Sequence, residues 1–479
     1  MRDQILLYVN GRRHAISGAE VFTSLSNFLR RDLGATGTKI VCEEGDCGAC
    51  TVLIGRDEGG RLVYRPVNSC IQFLFQLDST HVVTVEGLRR SNELTPVQDA
   101  MVRCHGAQCG YCTPGFIVAM TALFETKQSI EEHDVRDALT GNLCRCTGYE
   151  PIIRAALEVD ASQLTHLDEI YPPQPILEDL RSHSALPLLV ETSGKRFARP
   201  VDLAAACQFK AGQPPAVIVQ GGTDFGVWVN KRGFGFENLL SLSGIAELTR
   251  VEITDEMIAI GGAVTLAAFE SIAAEHVPEL GPIMDRFGSP QIRNAGTLAG
   301  NIANASPIAD TLPYLYVAGA AVELTGLGGS RVVPIDRFYL GYKKLDLAAG
   351  EIISRILIPR ASNGSLLRLY KVSKRSHLDI STFTAAIRMN LAGDRIDAMR
   401  IAYGGVAPVV LRLPRTEAWL EGKRFELPAL ESAGEIAREE IAPISDVRGT
   451  RDFRLQLAEN ILKKFYYDVA EGMRRPANA

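Results

Sequence analysis

The sequence predicts a multidomain α+β protein, and two observations carry that prediction. The hydrophobic pattern changes character three times along the 479 residues. The first part mixes strands with one helix, the next is helical, and the remainder alternates short apolar strands with Gly-rich turns before ending on helices. With 46% hydrophobic residues over this length, there is apolar material for about three cores.

Residues 5–9 and 14–16 flank Asn10-Gly11, a dipeptide that favours a two-residue hairpin turn. Residues 24–33 have the spacing of an amphipathic helix. A Gly-rich cysteine loop follows at 42–50, and 51–54 and 62–67 read as strands. Together they predict a small mixed α+β domain over 1–88. Thr95-Pro96 then opens a helix with Thr as N-cap and Pro at N1, and Thr113-Pro114 repeats the device before 116–126. Helical stretches at 131–139 and 151–159, bracketed by Ser129 and Gly148, complete a small bundle over 89–162. The Pro-rich Tyr171-Pro172-Pro173-Gln174-Pro175 reads as a linker, assigned to 163–192. From 193 to 366, strands such as 216–219 and 259–262 alternate with Gly-rich segments. The last stretch, 367–479, has strands at 384–391 and 397–403 and helices at 429–441 and 452–470.

The net charge of −5 gives no electrostatic reason to expect nucleic acid. The sequence has no run of 18 apolar residues for a membrane span, and residues 1–8 lack the apolar core of a signal peptide. Clustered thiols without an export signal read as metal ligands in a reducing compartment, so a cytoplasmic protein is expected.

The cysteines are the most specific feature. Cys42, Cys47 and Cys50 follow C-x4-C-x2-C, with Cys70 further on, which is the plant-type [2Fe–2S] ligand pattern. Cys109, Cys112, Cys144 and Cys146 form a second set of four. Each iron of such a cluster takes two thiolates, so each set suffices for one centre. Gly45, Gly48 and Ala49 leave room for backbone N–H groups to turn toward the sulfides. A zinc site is the competing reading, and two sets of four, one at ferredoxin spacing, outweigh it. Cys104 and Cys207 remain over and receive no role.

A strand runs through Val219 and Gln220 into Gly221-Gly222-Thr223-Asp224, where backbone N–H groups can approach a pyrophosphate. A second run, 291–310, adds Gly296, Gly300, Asn301, Asn304 and Ser306. No G-x-G-x-x-G follows a predicted strand, so a Rossmann site is not supported. A flavin suits the setting, because it can accept electrons singly from iron–sulfur clusters and release a hydride.

These residues resemble the FAD and iron–sulfur small subunits of bacterial xanthine dehydrogenases, within the molybdenum hydroxylases. The matching strings are Glu44-Gly45-Asp46-Cys47-Gly48-Ala49-Cys50, Gln108-Cys109-Gly110-Tyr111-Cys112-Thr113-Pro114-Gly115 and Gly141-Asn142-Leu143-Cys144-Arg145-Cys146. The flavin part matches at Gly221 to Asp224 and at Gly300-Asn301-Ile302-Ala303-Asn304-Ala305-Ser306 and on to Asp310. The resemblance implies a ferredoxin-like β-grasp domain, a helical [2Fe–2S] domain, an FAD-binding domain of the vanillyl-alcohol-oxidase type, and a C-terminal α+β flavoprotein domain.

It also implies a flow of electrons from a purine at a molybdenum centre to the cluster of Cys109, Cys112, Cys144 and Cys146. From there they pass to the cluster of Cys42, Cys47, Cys50 and Cys70, to FAD and to NAD. Gln108 matches a pterin contact, Phe287 an aromatic residue beside the flavin ring, and Thr223, Thr297, Asn301 and Asp310 match FAD contacts. Asp379 matches an acidic residue on the nicotinamide side. Two departures stand out: Ile40-Val41 precedes Cys42 where the family often has an acidic residue and glycine, and Gly222 stands where relatives often carry Asn. Nothing after the flavin part resembles the molybdenum-binding domains, so no residue for purine hydroxylation is expected here. That chemistry is expected on a large partner subunit, in a heterodimer that pairs to a heterotetramer. The same architecture serves aldehyde and N-heterocycle hydroxylases, and a stand-alone reductase is a further alternative.

Overall fold

A computed structural model describes residues 1–89, 93–212, 216–361 and 364–474. The chain divides into two compact units. The first comprises Met1–Ala246, Thr265–Ala267 and Gly288–Thr297. The second comprises Glu247–Val264, Ala268–Phe287 and the chain from Leu298 onward.

The first unit begins with a five-stranded sheet in the order Arg12–Ser17, Gln4–Val9, Thr80–Val83, Thr51–Glu58, Arg61–Asn68. Gln4–Val9 and Thr80–Val83 run parallel and the other pairs antiparallel. The hairpin turn falls on Asn10 and Gly11, at φ 48° and 78°, the left-handed values that this dipeptide tolerates. The expected helix over 24–33 is shorter and irregular. Ser24 caps Leu25–Asn27, and the chain then widens into a π-turn over Phe28–Asp32 that keeps Phe28 and Leu29 buried.

Helices Pro96–Arg103, Thr113–Thr126, Glu132–Ala138 and Glu150–Leu157 follow. Thr95 and Gln98 form a reciprocal capping box on the first. At the second, the N-cap is Cys112, so Thr113 is the first helical residue and not the cap that Thr-Pro suggested. This helix is apolar nearly all round, with Phe116, Val118 and Met120 fully buried, and so forms the centre of the bundle. Its core continues into Leu53, Tyr64 and Val83 of the sheet.

The Pro-rich stretch is not an extended linker. Prolines in a first helical turn lose no intrahelical hydrogen bond, and here they open the helix Pro173–Ser184. That helix is fastened to the sheet. Tyr8 and Arg13 both donate to Asp179 at 2.8 Å, and Arg181 pairs with Asp57 at 2.5 Å. A further sheet, ordered Leu188–Thr192, Lys195–Arg199, Asn238–Leu240, Val217–Ile218, shares a core with the first through Phe197, Val219, Phe225, Phe73 and Phe75.

The second unit has an antiparallel sheet ordered Val251–Ile253, Met257–Gly261, Ile352–Pro359, Ala321–Gly326, Gly329–Pro334. The strands Tyr339–Gly341 and Lys344–Leu345 form a separate pair. Another antiparallel sheet, ordered Leu366–Val372, Phe383–Ala392, Arg395–Gly404, Leu411–Arg412, packs against the helices Pro414–Leu420, Leu427–Glu439 and Arg451–Arg474. Phe383, Ile387, Leu430 and Phe465 are fully buried in that layer. Among the described residues no helix is long and apolar enough to cross a membrane.

Candidate functional site

The first cysteine loop is shaped by positive φ at Glu43, Gly45 and Gly48. This turns the Cys47 N–H toward the Cys42 sulfur, at 3.4 Å. Asn68 holds the Gly45 carbonyl at 2.8 Å, and the Asn230 amide donates to the carbonyls of Glu43 and Cys70 at 3.0 and 2.9 Å. Cys50 and Cys70 are buried against Ile71, Val227 and Ile292. The four sulfurs are close enough to share protons. Hydrogen bonding from Cys47 and Cys70 holds Cys42 far below the ordinary thiol range, and Cys70 likewise lowers Cys50. Cys47 is pushed up by Cys42, and Cys70 by Cys42 and Cys50. Thiols poised in this way release protons when they ligate a metal.

The second set sits at helix ends. Gly110 and Gly148 have φ 79° and 69°. The sulfurs of Cys109 and Cys146 lie 3.6 Å apart, and Thr147 donates to the Cys144 sulfur at 3.2 Å. Burial, together with Cys144, pushes the Cys112 thiol up to about 12. Among the described residues no group of three or more His, Cys, Asp or Glu side chains is arranged for a single metal ion. The thiols of this set stand instead as two pairs, Cys109 with Cys146 and Cys112 with Cys144. Pairs suit a centre whose two irons each take two thiolates. Cys109 and Cys146 are exposed, as are Gln108, Tyr111, Leu143 and Tyr149 around them.

The double glycine lies in the same unit. Val219 is buried, and its N–H donates to Leu240 at 2.9 Å; the Gln220 side chain accepts from Leu242 at 3.1 Å. A Cβ on Gly221 would lie 2.2 Å from the Ala295 carbonyl oxygen, and one on Gly222 2.3 Å from the Gln76 amide. Gly222, at φ 70°, caps the helix Thr223–Arg232, whose first N–H groups point out of the turn with Thr223 and Asp224. A side-chain-free turn feeding a helix N-terminus fits a pyrophosphate. Gln72 braces the turn through the Gly221 carbonyl at 2.9 Å. Thr297 is buried at the end of the neighbouring segment.

In the second unit, Asn301 accepts from Thr311 at 2.6 Å, and Lys343 donates to both oxygens of Asn304. Gly300 is exposed near the start of the helix Leu298–Ala303, and Phe287 is half-buried. Asp310 is paired with Lys371 and Ser381 at 2.6 and 2.5 Å. Asp379 accepts from its own turn, at the Arg375 N–H, at 2.9 Å. Burial raises this carboxyl, but the Arg375 backbone bond and guanidinium outweigh it and hold it below the usual range.

Sequence reasoning missed Gln72, Gln76, Gln291 and Lys371. A pair of glutamines four apart just after Cys70, in an otherwise apolar stretch, was the available signal for the first two. Buried amides of this kind need partners.

Residues 84–157 match the [2Fe-2S] binding domain family. Residues 192–361 match the FAD binding domain in molybdopterin dehydrogenase, and 368–469 the CO dehydrogenase flavoprotein C-terminal domain. The chain is 30% identical, over 99% of its length, to xanthine dehydrogenase 1 of Arabidopsis thaliana, and spans about 40% of that protein. Among solved structures, reconstituted CO dehydrogenase from Oligotropha carboxidovorans aligns at 28% identity with a TM-score of 0.54, over 57% of this chain and 96% of its own. Quinoline 2-oxidoreductase from Pseudomonas putida 86 aligns at 28% and 0.54, over 58% and 97%. With these domains in this order, the chain is an FAD and [2Fe–2S] flavoprotein of the molybdenum hydroxylase family.

Proposed function

We propose that the chain is the electron-transfer subunit of an oxidoreductase, a xanthine dehydrogenase. In this reading a partner subunit oxidises hypoxanthine and xanthine at a molybdenum centre, and this chain delivers the electrons to NAD in the cytoplasm. The observation that carries the reading is one of coverage. The xanthine dehydrogenase relative aligns with 99% of this chain, iron–sulfur and flavin parts together, whereas each CO dehydrogenase or quinoline oxidoreductase chain aligns with little more than half of it.

When bound, the clusters supply one-electron steps and FAD converts them to a hydride. The residues of the chain do the rest. Cys109, Cys112, Cys144 and Cys146 hold the outer cluster on an exposed face, where Gln108 meets the pterin of the partner. Cys42, Cys47, Cys50 and Cys70 hold the inner one, with Cys50 and Cys70 buried. The Gly221-Gly222 turn and Thr223 receive the FAD pyrophosphate. Thr297, Gly300, Asn301, Asn304 and Asp310 complete the flavin contacts, Phe287 packs beside the ring, and Asp379 serves the nicotinamide side.

The test is purification of the chain from its native host, with metal analysis and a xanthine-plus-NAD assay. Co-purification of a molybdenum-containing partner with xanthine-dependent NADH formation is expected. A molybdenum partner without xanthine activity would assign the chain to another hydroxylase of the family, the reading that the CO dehydrogenase and quinoline oxidoreductase similarities favour. Iron and FAD without a partner would leave a stand-alone reductase.

A further inference from the structure

The two cysteine loops are joined directly. The Leu143 N–H donates to the Cys47 carbonyl at 3.0 Å, so only one hydrogen bond and short backbone links separate Cys47 from Cys144. Next to it, the Asn142 amide donates to the Gly48 carbonyl at 3.0 Å and reaches the Thr51 hydroxyl at 3.4 Å. The orientation of that amide is set from a third segment. Gln291, in the helix Pro290–Ala295, donates from Nε2 to Asn142 Oδ1 at 2.9 Å. Asn142 and Gln291 are 2% and 1% exposed.

The junction has no slack. A Cβ on Gly48 would lie 2.2 Å from the Gly141 carbonyl oxygen, one on Gly115 2.2 Å from the Gly48 oxygen, and one on Gly141 1.9 Å from Gln291 Oε1. An asparagine amide can turn over and exchange its donor and acceptor ends. Turned over, Asn142 would aim its oxygen at the Gly48 carbonyl and lose the bond. The Gly48 carbonyl can only accept and Gln291 Nε2 donates at the other end, so the two together hold the productive orientation.

We propose that Gln291 is a positioning residue for electron transfer between the two clusters, acting through Asn142. It comes from the segment that matches the FAD-binding family, so the flavin part of the chain braces the junction between the iron–sulfur parts. The inference rests on the relay proposed above. In the step concerned, one electron leaves the centre of the Cys109/Cys112/Cys144/Cys146 set. The centre of the Cys42/Cys47/Cys50/Cys70 set gains it, with no bond or proton changed.

The test uses the full chain loaded with both clusters and FAD. Electron paramagnetic resonance of the reduced protein reads the magnetic coupling between clusters, and rapid mixing reads the transfer rate. Gln291→Leu should keep its iron and flavin while altering the coupling and slowing the step about tenfold, the low end of what outer-shell partners of metal sites cost. In an Asn142→Ala background, Gln291→Leu should add nothing, because the two act as one unit. Unchanged coupling and rate, or additive effects, would overturn the proposal. If Gln291→Leu loses iron, Gln291→Met, a neutral side chain of similar length with no N–H donor, is measured instead. Iron loss there as well would make the residue structural and end the proposal. Wild-type protein without two cluster signals would overturn the relay reading, and this inference with it.

Discussion

Lys371 and Asp310 form an ion pair almost sealed from water. The Lys371 Nζ lies 2.6 Å from the carboxylate, with side chains 2% and 9% exposed. The ammonium also donates to the Arg286 carbonyl at 3.1 Å, and Ser381 donates to the other carboxylate oxygen at 2.5 Å. Burial still pushes the Asp310 carboxyl above its usual range, against the pull of Lys371 and Ser381. Desolvation therefore outweighs the favourable interactions at this carboxyl, and the pair as a whole stabilises little. Breaking it is another matter. Lys371→Met strands a buried carboxylate, and the loss of one partner from such a pair costs about 3–5 kcal/mol. Replacing both, Lys371→Met with Asp310→Leu, should return to within about 1 kcal/mol of wild type, a coupling of at least about 5 kcal/mol when each single replacement costs about 3–5. The assay is denaturant unfolding of the flavin-free protein, followed by circular dichroism. A chain of two units need not unfold in one step, so the transition of the second unit, which holds both residues, is the one to compare. Single replacements costing under about 1 kcal/mol, as for an exposed pair, or costs that simply add, would refute the reasoning.

Three further outcomes are expected. His81 is buried, its Nε2 accepts from the Gly11 N–H at 3.0 Å, and burial lowers it to about 3. An unfolded histidine titrates near 6.5. The unfolded chain therefore takes up a proton that the folded one refuses, and stability falls by about 1.4 kcal/mol per unit as pH drops from about 6.5 toward 3. His81→Gln should flatten the pH dependence of the melting temperature over that window, and an unaltered slope would show that another group is responsible. Gly221→Ala drives a methyl group into the Ala295 carbonyl, so purified protein should lose most of its FAD absorbance while retaining its iron. Retention of both would mean that the turn does not contact the nucleotide. Asp379→Ala should slow NAD reduction more than reduction of an artificial dye, and equal losses would leave the residue only its turn-capping bond to Arg375.

What could be read from the sequence follows local chemistry. Asn10-Gly11 and Thr95-Pro96 fix backbone geometry within a few residues, and both appear as expected. The cysteine spacing likewise reports a loop closed on itself. Tyr171 to Pro175 misled because proline is favourable both in an extended linker and in a first helical turn. What decides between them is the distant packing of Ile176 and Leu180 against Leu6 and Tyr8, with the pairings of Arg181 with Asp57 and of Arg13 with Asp179 adding a little at the rim. The partners of Asn142 lie 91, 94 and 149 residues away along the chain, so no local pattern announces them. Lys371 hides for the same reason: its apposition to Asp310 depends on a sheet assembled from the far end of the chain.

The side chains that hold backbone carbonyls around the first cysteine loop and the double glycine include a set of neutral amides, and this has a physical consequence. Gln72 holds the Gly221 carbonyl, Asn230 those of Glu43 and Cys70, Asn68 that of Gly45, Asn142 that of Gly48, and Asn294 that of Pro66. Each bond contributes only about 0.5–1.5 kcal/mol net, yet each is directional and fixes a backbone carbonyl. A buried charge in the same place would interact with any centre whose charge changes as electrons pass, and in a low-dielectric interior that interaction is large. It would favour one oxidation state over the other. The acidic residues of the first cysteine loop, Glu43, Glu44 and Asp46, are exposed, where solvent screens them. Amides inside and carboxylates outside give geometric rigidity around the cysteine sets without a buried charge that would bias the direction of transfer.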